Sequence, residues 1–245
     1  NAKTVSIQLT KTQLLQRAIS EFPLDMHKYF ELAEHYADED KFVEAERVLR
    51  SALDMSGRDL RVQEKLEDLL MRREGNKITI AERRATEHPT DENRELAQRL
   101  KLELARQEME IYRARSDRYP NETQWKYELG VRLKRLGNHH EAIKVLQAAR
   151  HDPERRGLVL MELGESLQVM KQFQPALVTY QKAIDALPDK QLKLKKAALY
   201  RAGLLAGGLK ELALAEKYLS QLIGLDFNYK DAAERLDKIQ KLRHK

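Results

Sequence analysis

The chain has 245 residues, of which 34% are charged and only 6% are aromatic. Its formal net charge of +6 comes from 45 basic and 39 acidic side chains, and this small excess argues against a dedicated polyanion binder. Because the chain contains no cysteine, disulfides, thiol nucleophiles and thiolate metal sites are excluded. No stretch reaches the roughly 18–20 uncharged apolar residues that span a bilayer, and the closest, residues 197–206, is interrupted by Arg201.

The N-terminal residues carry no secretion-signal pattern, and the chain starts at Asn1 rather than methionine, so we expect a processed or truncated chain. We also expect it to be soluble; its composition does not identify a compartment, and the cytoplasm is favoured over the others. Val5, Ile7 and Leu9 alternate with polar residues. This short alternation predicts an extended lead-in or a frayed tail.

A capping-box pattern starts the first predicted helix. The side chains of Thr10 and Gln13 can satisfy backbone donors at the helix start, and Pro23 ends the helix. Two further helices are predicted in residues 26–57, with a turn at residues 38–41 and a stop at Gly57. Their apolar positions recur at helical spacing: Tyr29, Leu32, Ala33, Tyr36, Ala45, Leu49, Ala52 and Leu53.

Residues 58–88 predict a less regular pair of helices. The first carries four leucines and closes at Glu74-Gly75-Asn76, and the second starts near Ile78 and ends before Pro89. Because the second helix is short and carries the polar run 82–84, we expect it to be poorly covered.

Residues 91–118 contain neither glycine nor proline and are rich in strong helix formers. They predict one continuous helix of about 28 residues, about 42 Å long. Two interpretations stay open: a spacer packed on its flanking units, or a helix that pairs with a second copy of the chain. The spacer is favoured because the apolar stripe is not a strict heptad. The stripe consists of Leu96, Leu100, Leu104, Ala105, Met109, Ile111 and Tyr112.

Residues 122–188 repeat a pattern of small and large apolar residues. Gly130 and Gly164 are 34 positions apart, and the same step relates Leu129 to Leu163, Ala142 to Ala176, Leu146 to Tyr180 and Ala149 to Ala183. Two helices approach closely only where their contact residues are small, so each unit is expected to be a helix pair with a turn at Gly137-Asn138 or Lys171-Gln172. This pattern resembles the tetratricopeptide repeat.

The resemblance implies an all-α solenoid of antiparallel helix pairs, interrupted by the long helix and closed by a C-terminal capping helix. After Pro188 the spacing slips by five, which is expected to lengthen the next helix or its approach. We therefore predict four parts: N-terminal repeat-like units over 1–89, of which the first is truncated and the last degenerate, a connecting helix over 90–119, regular units over 120–225, and the cap over 226–245.

No catalytic or cofactor signature is present in the sequence, so we predict a chain that is not an enzyme and that holds no cofactor or metal. His139-His140 is the only adjacent histidine pair. Neighbouring residues on a helix point in different directions, so these two histidines cannot chelate a metal in the manner of an i, i+4 pair.

The resemblance further implies that a protein or peptide partner lies in a concave groove lined by the first helix of each pair. A well-known mode of the family clamps a peptide's C-terminal carboxylate with lysine and asparagine. Here the asparagine positions hold other residues, so that mode is not expected, and a mixed apolar groove predicts a helix or extended segment instead. The predicted groove residues are Phe30, Glu34, Tyr127, Val131, Lys134, Met161, Glu165, Gln168, Tyr200 and Leu204.

The main alternative is a nucleic-acid-binding repeat protein that uses basic patches on the long helix and near residues 190–201. On the long helix, however, glutamates are interleaved with the basic residues, which favours pairing along the helix over a bare positive face. The basic residues are Arg99, Lys101, Arg106, Arg113, Arg115 and Arg118, then Lys190, Lys193, Lys195, Lys196 and Arg201.

Overall fold

A computed structural model describes residues 9–243, and within that range every regular element is helical. The predictions for Val5 and Ile7 concern residues outside this range. The helices are α1 (Lys11–Glu21), α2 (Met26–Asp38), α3 (Phe42–Met55), α4 (Leu60–Glu87), α5 (Asp91–Arg118), α6 (Thr123–Arg135), α7 (His139–Ala149), α8 (Arg156–Val169), α9 (Phe173–Ala186), α10 (Leu192–Gly208), α11 (Leu212–Leu225) and α12 (Ala232–Arg243), with a 3₁₀ turn at Asp189–Gln191.

The chain forms two compact units, which we call unit 1 (residues 1–107) and unit 2 (residues 108–245). The boundary falls within α5. The four-part division proposed from the sequence remains a prediction, and the two units are described separately below.

Unit 2 is a stack of three helix pairs in which each pair makes the same close contact. A Cβ added to Gly130 would lie 2.6 Å from Leu146, and one added to Gly164 would lie 2.6 Å from the Tyr180 ring. In the third pair, a Cβ on Gly203 would lie 2.9 Å from Leu219. The predicted small-to-large pairing therefore recurs through unit 2, including after the five-residue slip.

The turns that join the two helices of each pair have the same backbone geometry throughout unit 2. Gly137, Lys171 and Lys210 each adopt a positive φ, at 82°, 59° and 62°. In each turn the next backbone N–H donates to the carbonyl five residues earlier, for example Gln172 to Leu167 at 2.9 Å. This bond satisfies a free carbonyl at the helix end in the manner of a Schellman motif. Asp40, at 58°, forms the equivalent turn between α2 and α3 in unit 1.

The insertion after Pro188 becomes the 3₁₀ turn and a lengthened first helix, α10, of 17 residues. The C-terminal helix is present as α12, which begins at Ala232 and packs against α11. One continuous apolar core runs through unit 2 from Leu129 to Ala232.

In unit 1 the capping box at the start of α1 is confirmed, since Gln13 and Thr10 exchange side-chain-to-backbone hydrogen bonds. Helix α2 packs against α1 and α3, and α3 packs against α4. Two small buried clusters form the core of these helices, centred on Leu49 and on Val62.

The predicted helix break at Glu74-Gly75-Asn76 is wrong, because α4 continues through it from Leu60 to Glu87. A single glycine costs a helix only about 1 kcal/mol relative to alanine, and tertiary contacts outweigh that cost here. Glu74 accepts from Arg73 and from Lys77, and Arg73 also pairs with Glu46 of α3 at 2.5 Å. Asn76 donates to Asp40 at 3.2 Å instead of turning the chain.

The long helix predicted over residues 91–118 is confirmed as α5. Thr90 caps its start by accepting from the backbone of Asn93 at 3.3 Å. In unit 1, Lys101 of this helix pairs with Glu82 of α4 at 2.6 Å. The run 82–84 is exposed, as expected for the poorly covered end of α4.

Candidate interaction surface

The surface of interest is the first-helix face of unit 2, formed by α6, α8 and α10. The repeated glycine contacts fix how each of these helices packs on its second helix. The side chains three residues before, one residue after and four residues after the contact glycine lie next to that contact, so they occupy comparable positions in successive pairs. The sequence places Tyr127, Val131 and Lys134 on α6, Met161, Glu165 and Gln168 on α8, and Tyr200 and Leu204 on α10.

An ion-pair network joins the three first helices. The Lys134 ammonium contacts Glu165 Oε2 at 2.6 Å and also pairs with Glu162. The other carboxylate oxygen of Glu165 contacts Arg201 Nη2 at 2.9 Å. Burial opposes the charge of Lys134, but its hydrogen bonds to Glu162 and Glu165 outweigh burial and raise its pKa. These ion pairs fix the positions of the four charged side chains.

A cavity of about 430 Å³ opens beside this network. Gln168 lies in its wall, held by the Tyr180 hydroxyl, which donates to Gln168 Oε1 at 2.9 Å. The rim carries two apolar side chains that are largely open to solvent, Val169 at 58% exposure and Phe173 at 41%. The cavity is lined by Lys134, His139, Glu165, Gln168, Val169, Phe173 and Arg201.

Three predicted groove residues lie further along the same face. Tyr127 is half-buried, and burial together with the charge of Glu162 raises its pKa to about 12. Val131 is half-buried, whereas Met161 is only 4% exposed and belongs to the core. Tyr127 and Val131 are therefore available at the surface, and Met161 supports the face from beneath.

Tyr200 and Leu204 are engaged by the C-terminal segment of unit 2. The Tyr200 hydroxyl donates to Asp231 Oδ1 at 2.6 Å, the Tyr229 ring meets it edge-on at 5.6 Å, and the Lys230 ammonium lies 4.6 Å from its centre. Leu204 lines a separate cavity of about 250 Å³ with residues of α12. These two residues are thus partly covered by the chain itself.

Phe30 and Glu34 lie in unit 1, where they line a cavity of about 470 Å³ between α2 and α4. Arg72 of α4 pairs there with Glu34 at 2.8 Å and with Asp38 at 2.9 Å. The structure therefore brings Lys134, Glu165 and Gln168 together at one cavity in unit 2 and places Phe30 and Glu34 at another in unit 1.

Sequence reasoning missed Arg201, Val169 and Phe173 as parts of the unit 2 cavity. The sequence indicated Arg201 only as one member of a basic cluster, because its ion pair with Glu165 depends on how α8 and α10 pack. Val169 and Phe173 flank the α8–α9 turn. Large apolar residues beside a turn were the one signal in the sequence that could have indicated them.

The basic residues proposed for nucleic acid are largely engaged within their own units. Arg113 pairs with Glu141 at 2.5 Å, and Arg115 is buried with its guanidinium over the rings of Tyr112 and Trp125. Three of the five basic residues near the insertion are paired as well: Lys195 with Asp189, Lys196 with Asp226, and Arg201 with Glu165.

Over residues 9–243 the structure contains no group of three or more histidine and carboxylate side chains that could hold a metal ion. In the same range, no helix combines the length and apolar character needed to cross a membrane.

Stacked antiparallel helix pairs, a glycine contact in each pair of unit 2 and left-handed turns at the repeat spacing define an α-solenoid with the tetratricopeptide-repeat fold. No protein-family model matches the sequence, and no curated protein matches it either.

Among solved structures the chain is similar to YrrB, described as a TPR protein with an unusual peptide-binding site, with a TM-score of 0.58 and 16% identity over 91% of this chain and 97% of that one. It is also similar to MamA from Desulfovibrio magneticus RS-1, residues 41 to the end, with a TM-score of 0.54 and 14% identity over 82% and 95% of the two chains. A further MamA structure gives a TM-score of 0.52 and 18% identity over 84% and 92%. At these identities the likeness concerns the fold.

Proposed function

We propose that this chain is a non-catalytic protein-interaction scaffold, and that it binds a peptide, helix or protein segment on the first-helix face of unit 2. A fold of stacked helix pairs presents side chains from successive first helices along one surface, and a partner segment can contact several of them at once. That YrrB is described as having a peptide-binding site supports the same class of function for this chain.

One observation carries the proposal: exposed apolar side chains lie beside polar groups that are already fixed. Val169 and Phe173 offer apolar area at the rim, while Lys134, Glu165 and Arg201 hold one another in place at the wall. Binding sites commonly combine apolar walls with a few fixed polar groups, because groups that are already ordered lose little entropy on binding.

Nucleic-acid binding remains the alternative proposal. The engaged basic residues favour the protein-binding proposal, since the carboxylates beside them repel the closely spaced phosphates of a nucleic-acid backbone. The two are separated by measuring binding of a fluorescent single-stranded RNA and a DNA duplex at low salt. Affinity that falls steeply with added salt would promote the alternative, and no binding at low salt would remove it.

The proposal is tested by recovering partners from the native cell with immobilised chain and with variants of the rim. We expect the double variant Val169→Glu/Phe173→Glu to lose the partners that the natural chain recovers, because charge replaces exposed apolar area. The matched control is Val178→Glu on α9, a valine that is 45% exposed and outside the cavity.

The control is expected to recover the same partners as the natural chain. Thermal unfolding of all three proteins must show that each is folded. Recovery of the same partners by the rim variant would contradict the proposal.

A further inference from the structure

We propose that the unit 2 cavity recognises an acidic segment, in which an apolar side chain packs on Val169 and Phe173 while a neighbouring side-chain carboxylate contacts Arg201. This inference rests on the proposed function and specifies the chemistry of the partner. Two observations carry it: the exposure of Arg201 at the edge of a balanced ion-pair network, and the position of the apolar rim.

The most exposed charge at the cavity is a cation. The lining contains Lys134, Arg201 and Glu165, and Glu162 pairs with Lys134 beside it, so the four charges balance. The Arg201 side chain is 44% exposed against 20–23% for the other three, so an approaching segment meets a positive group first, and a carboxylate is favoured there.

The unit 1 cavity has a different balance and serves as an internal reference. Its ionised lining comprises three carboxylates and two cations, a net charge of −1 with His27 neutral: Glu31, Glu34, Asp68, Lys65 and Arg72. The charge preference expected of the unit 2 cavity is therefore not a general property of first-helix cavities in this chain.

The two cations at the unit 2 cavity differ in exposure. The Lys134 side chain is 20% exposed and is shared by Glu162 and Glu165, so it is the inner cation. The Arg201 side chain is 44% exposed and contacts Glu165 through Nη2. A guanidinium has five N–H donors, so Arg201 can keep Glu165 and still donate to a second carboxylate.

The apolar rim determines which type of side chain should lie next to the acidic residue in the bound segment. Val169 and Phe173 flank the α8–α9 turn and line the same cavity as Arg201. A segment that places an aliphatic or aromatic side chain beside an aspartate or glutamate satisfies both features. This contact uses an internal side chain and needs no free peptide C-terminus.

The test starts from a displayed library of random 12-residue peptides, selected on the complete chain. Recovered sequences are made as fluorescent peptides with amidated C-termini, and their affinities are measured by anisotropy. We expect Asp or Glu to be enriched next to Leu, Ile or Phe. Replacing that acidic residue with Gln is expected to weaken binding about fivefold to tenfold, the range for a charged hydrogen bond at a partly exposed site.

Variants of the chain assign the contact. Arg201→Glu is expected to weaken the acidic peptides by at least as much as the Gln replacement does, because it removes the attraction and adds repulsion between carboxylates. A peptide with Lys at the acidic position is expected to bind Arg201→Glu better than it binds the natural chain. That gain also shows that the variant is folded. Arg72→Glu, at the unit 1 cavity, is expected to leave acidic-peptide affinity unchanged.

The outcomes separate this inference from the proposed function. Peptides that require Val169 and Phe173 but show no acidic preference would overturn the inference and leave the proposed function standing. Peptides that bind only when their C-terminal carboxylate is free would overturn the inference as well. If no recovered peptide depends on Val169, Phe173 or Arg201, both the inference and the binding surface are wrong.

Discussion

Replacing Gly164 with alanine should destabilise unit 2, although alanine is the better helix former. Its added Cβ would lie 2.6 Å from Tyr180 Cε1 and 2.7 Å from Cδ1, whereas ordinary carbon contacts are 3.4–4 Å. Relief therefore requires α8 and α9 to separate by about 1 Å. Tyr180 cannot move aside easily, because it is fully buried and its hydroxyl is bonded to Gln168.

The size of the effect follows from two opposing contributions. Forcing an extra methyl group into a filled core costs about 1–3 kcal/mol. Replacing glycine with alanine inside a helix returns about 1 kcal/mol. Because the neighbouring ring is held on all sides, we take the upper part of the first range and expect Gly164→Ala to lower the free energy of unfolding of unit 2 by about 1–2 kcal/mol.

The assay is urea unfolding followed by the fluorescence of Trp125, the only tryptophan, which lies in unit 2 and stacks with Tyr112 at 6.1 Å. With a slope of about 1–3 kcal/mol/M, the midpoint should fall by roughly 0.5–1 M. The control is Gly208→Ala at the end of α10, where an added Cβ meets no atom within 4 Å. A Gly164→Ala protein as stable as the natural chain, or as stable as Gly208→Ala, would refute this account of helix packing.

Three further predictions concern stability. Gly75→Ala should stabilise unit 1 by about 0.5–1 kcal/mol, because Gly75 is helical and an added Cβ meets nothing within 4 Å. Thermal unfolding followed by the circular dichroism of the helices checks this prediction. Destabilisation would indicate a break in α4. Lys171→Gly should stabilise unit 2 by about 0.5–1 kcal/mol, because Lys171 has a φ of 59°, which glycine adopts more easily than lysine. Gly137→Ala should destabilise unit 2 by about 1 kcal/mol for the same reason, since the φ of Gly137 is 82°. Equal unfolding midpoints in urea for the two variants would contradict the turn geometry. Burial raises the pKa of Tyr180 to about 12, above its pKa in the unfolded chain. The neutral phenol therefore makes its full contribution to stability below about pH 10, and that contribution is lost as the pH rises towards 12. Over that window the free energy of unfolding should fall by up to about 1.4 kcal/mol per pH unit. Tyr180→Phe should remove that part of the slope, and an unchanged slope between about pH 9.5 and 11 would show that the phenol is not buried.

Much of the fold could be predicted because its signals are local or repeat at fixed steps. The contacts of Gly130 and Gly164 follow from small residues recurring 34 positions apart. The long helix α5 follows from a segment without glycine or proline. The same local reasoning failed at Gly75, because the pairs that hold α4 together join it to α3 and to the α2–α3 turn and are not visible along the sequence.

The candidate surface was less predictable. Repeat position predicts that Lys134, Glu165 and Gln168 are neighbours, because they occupy related positions on successive first helices, and these three residues line one cavity. It could not show that Met161 is buried, nor that Tyr200 is covered by the C-terminal segment, since both depend on how each pair packs against the next. Which of the predicted groove residues contact a partner stays a prediction.

The most direct measurement of the central claim is site-specific photo-crosslinking from an exposed aromatic position. A benzophenone amino acid replaces Phe173 at the unit 2 cavity in one protein and Phe227, which is 70% exposed and outside that cavity, in another. Both proteins are irradiated in native cell extract, and adducts are compared by mass. We predict a discrete protein adduct from position 173 that is absent from position 227; equal labelling at both positions, or an adduct from position 227 alone, would contradict binding on the first-helix face of unit 2.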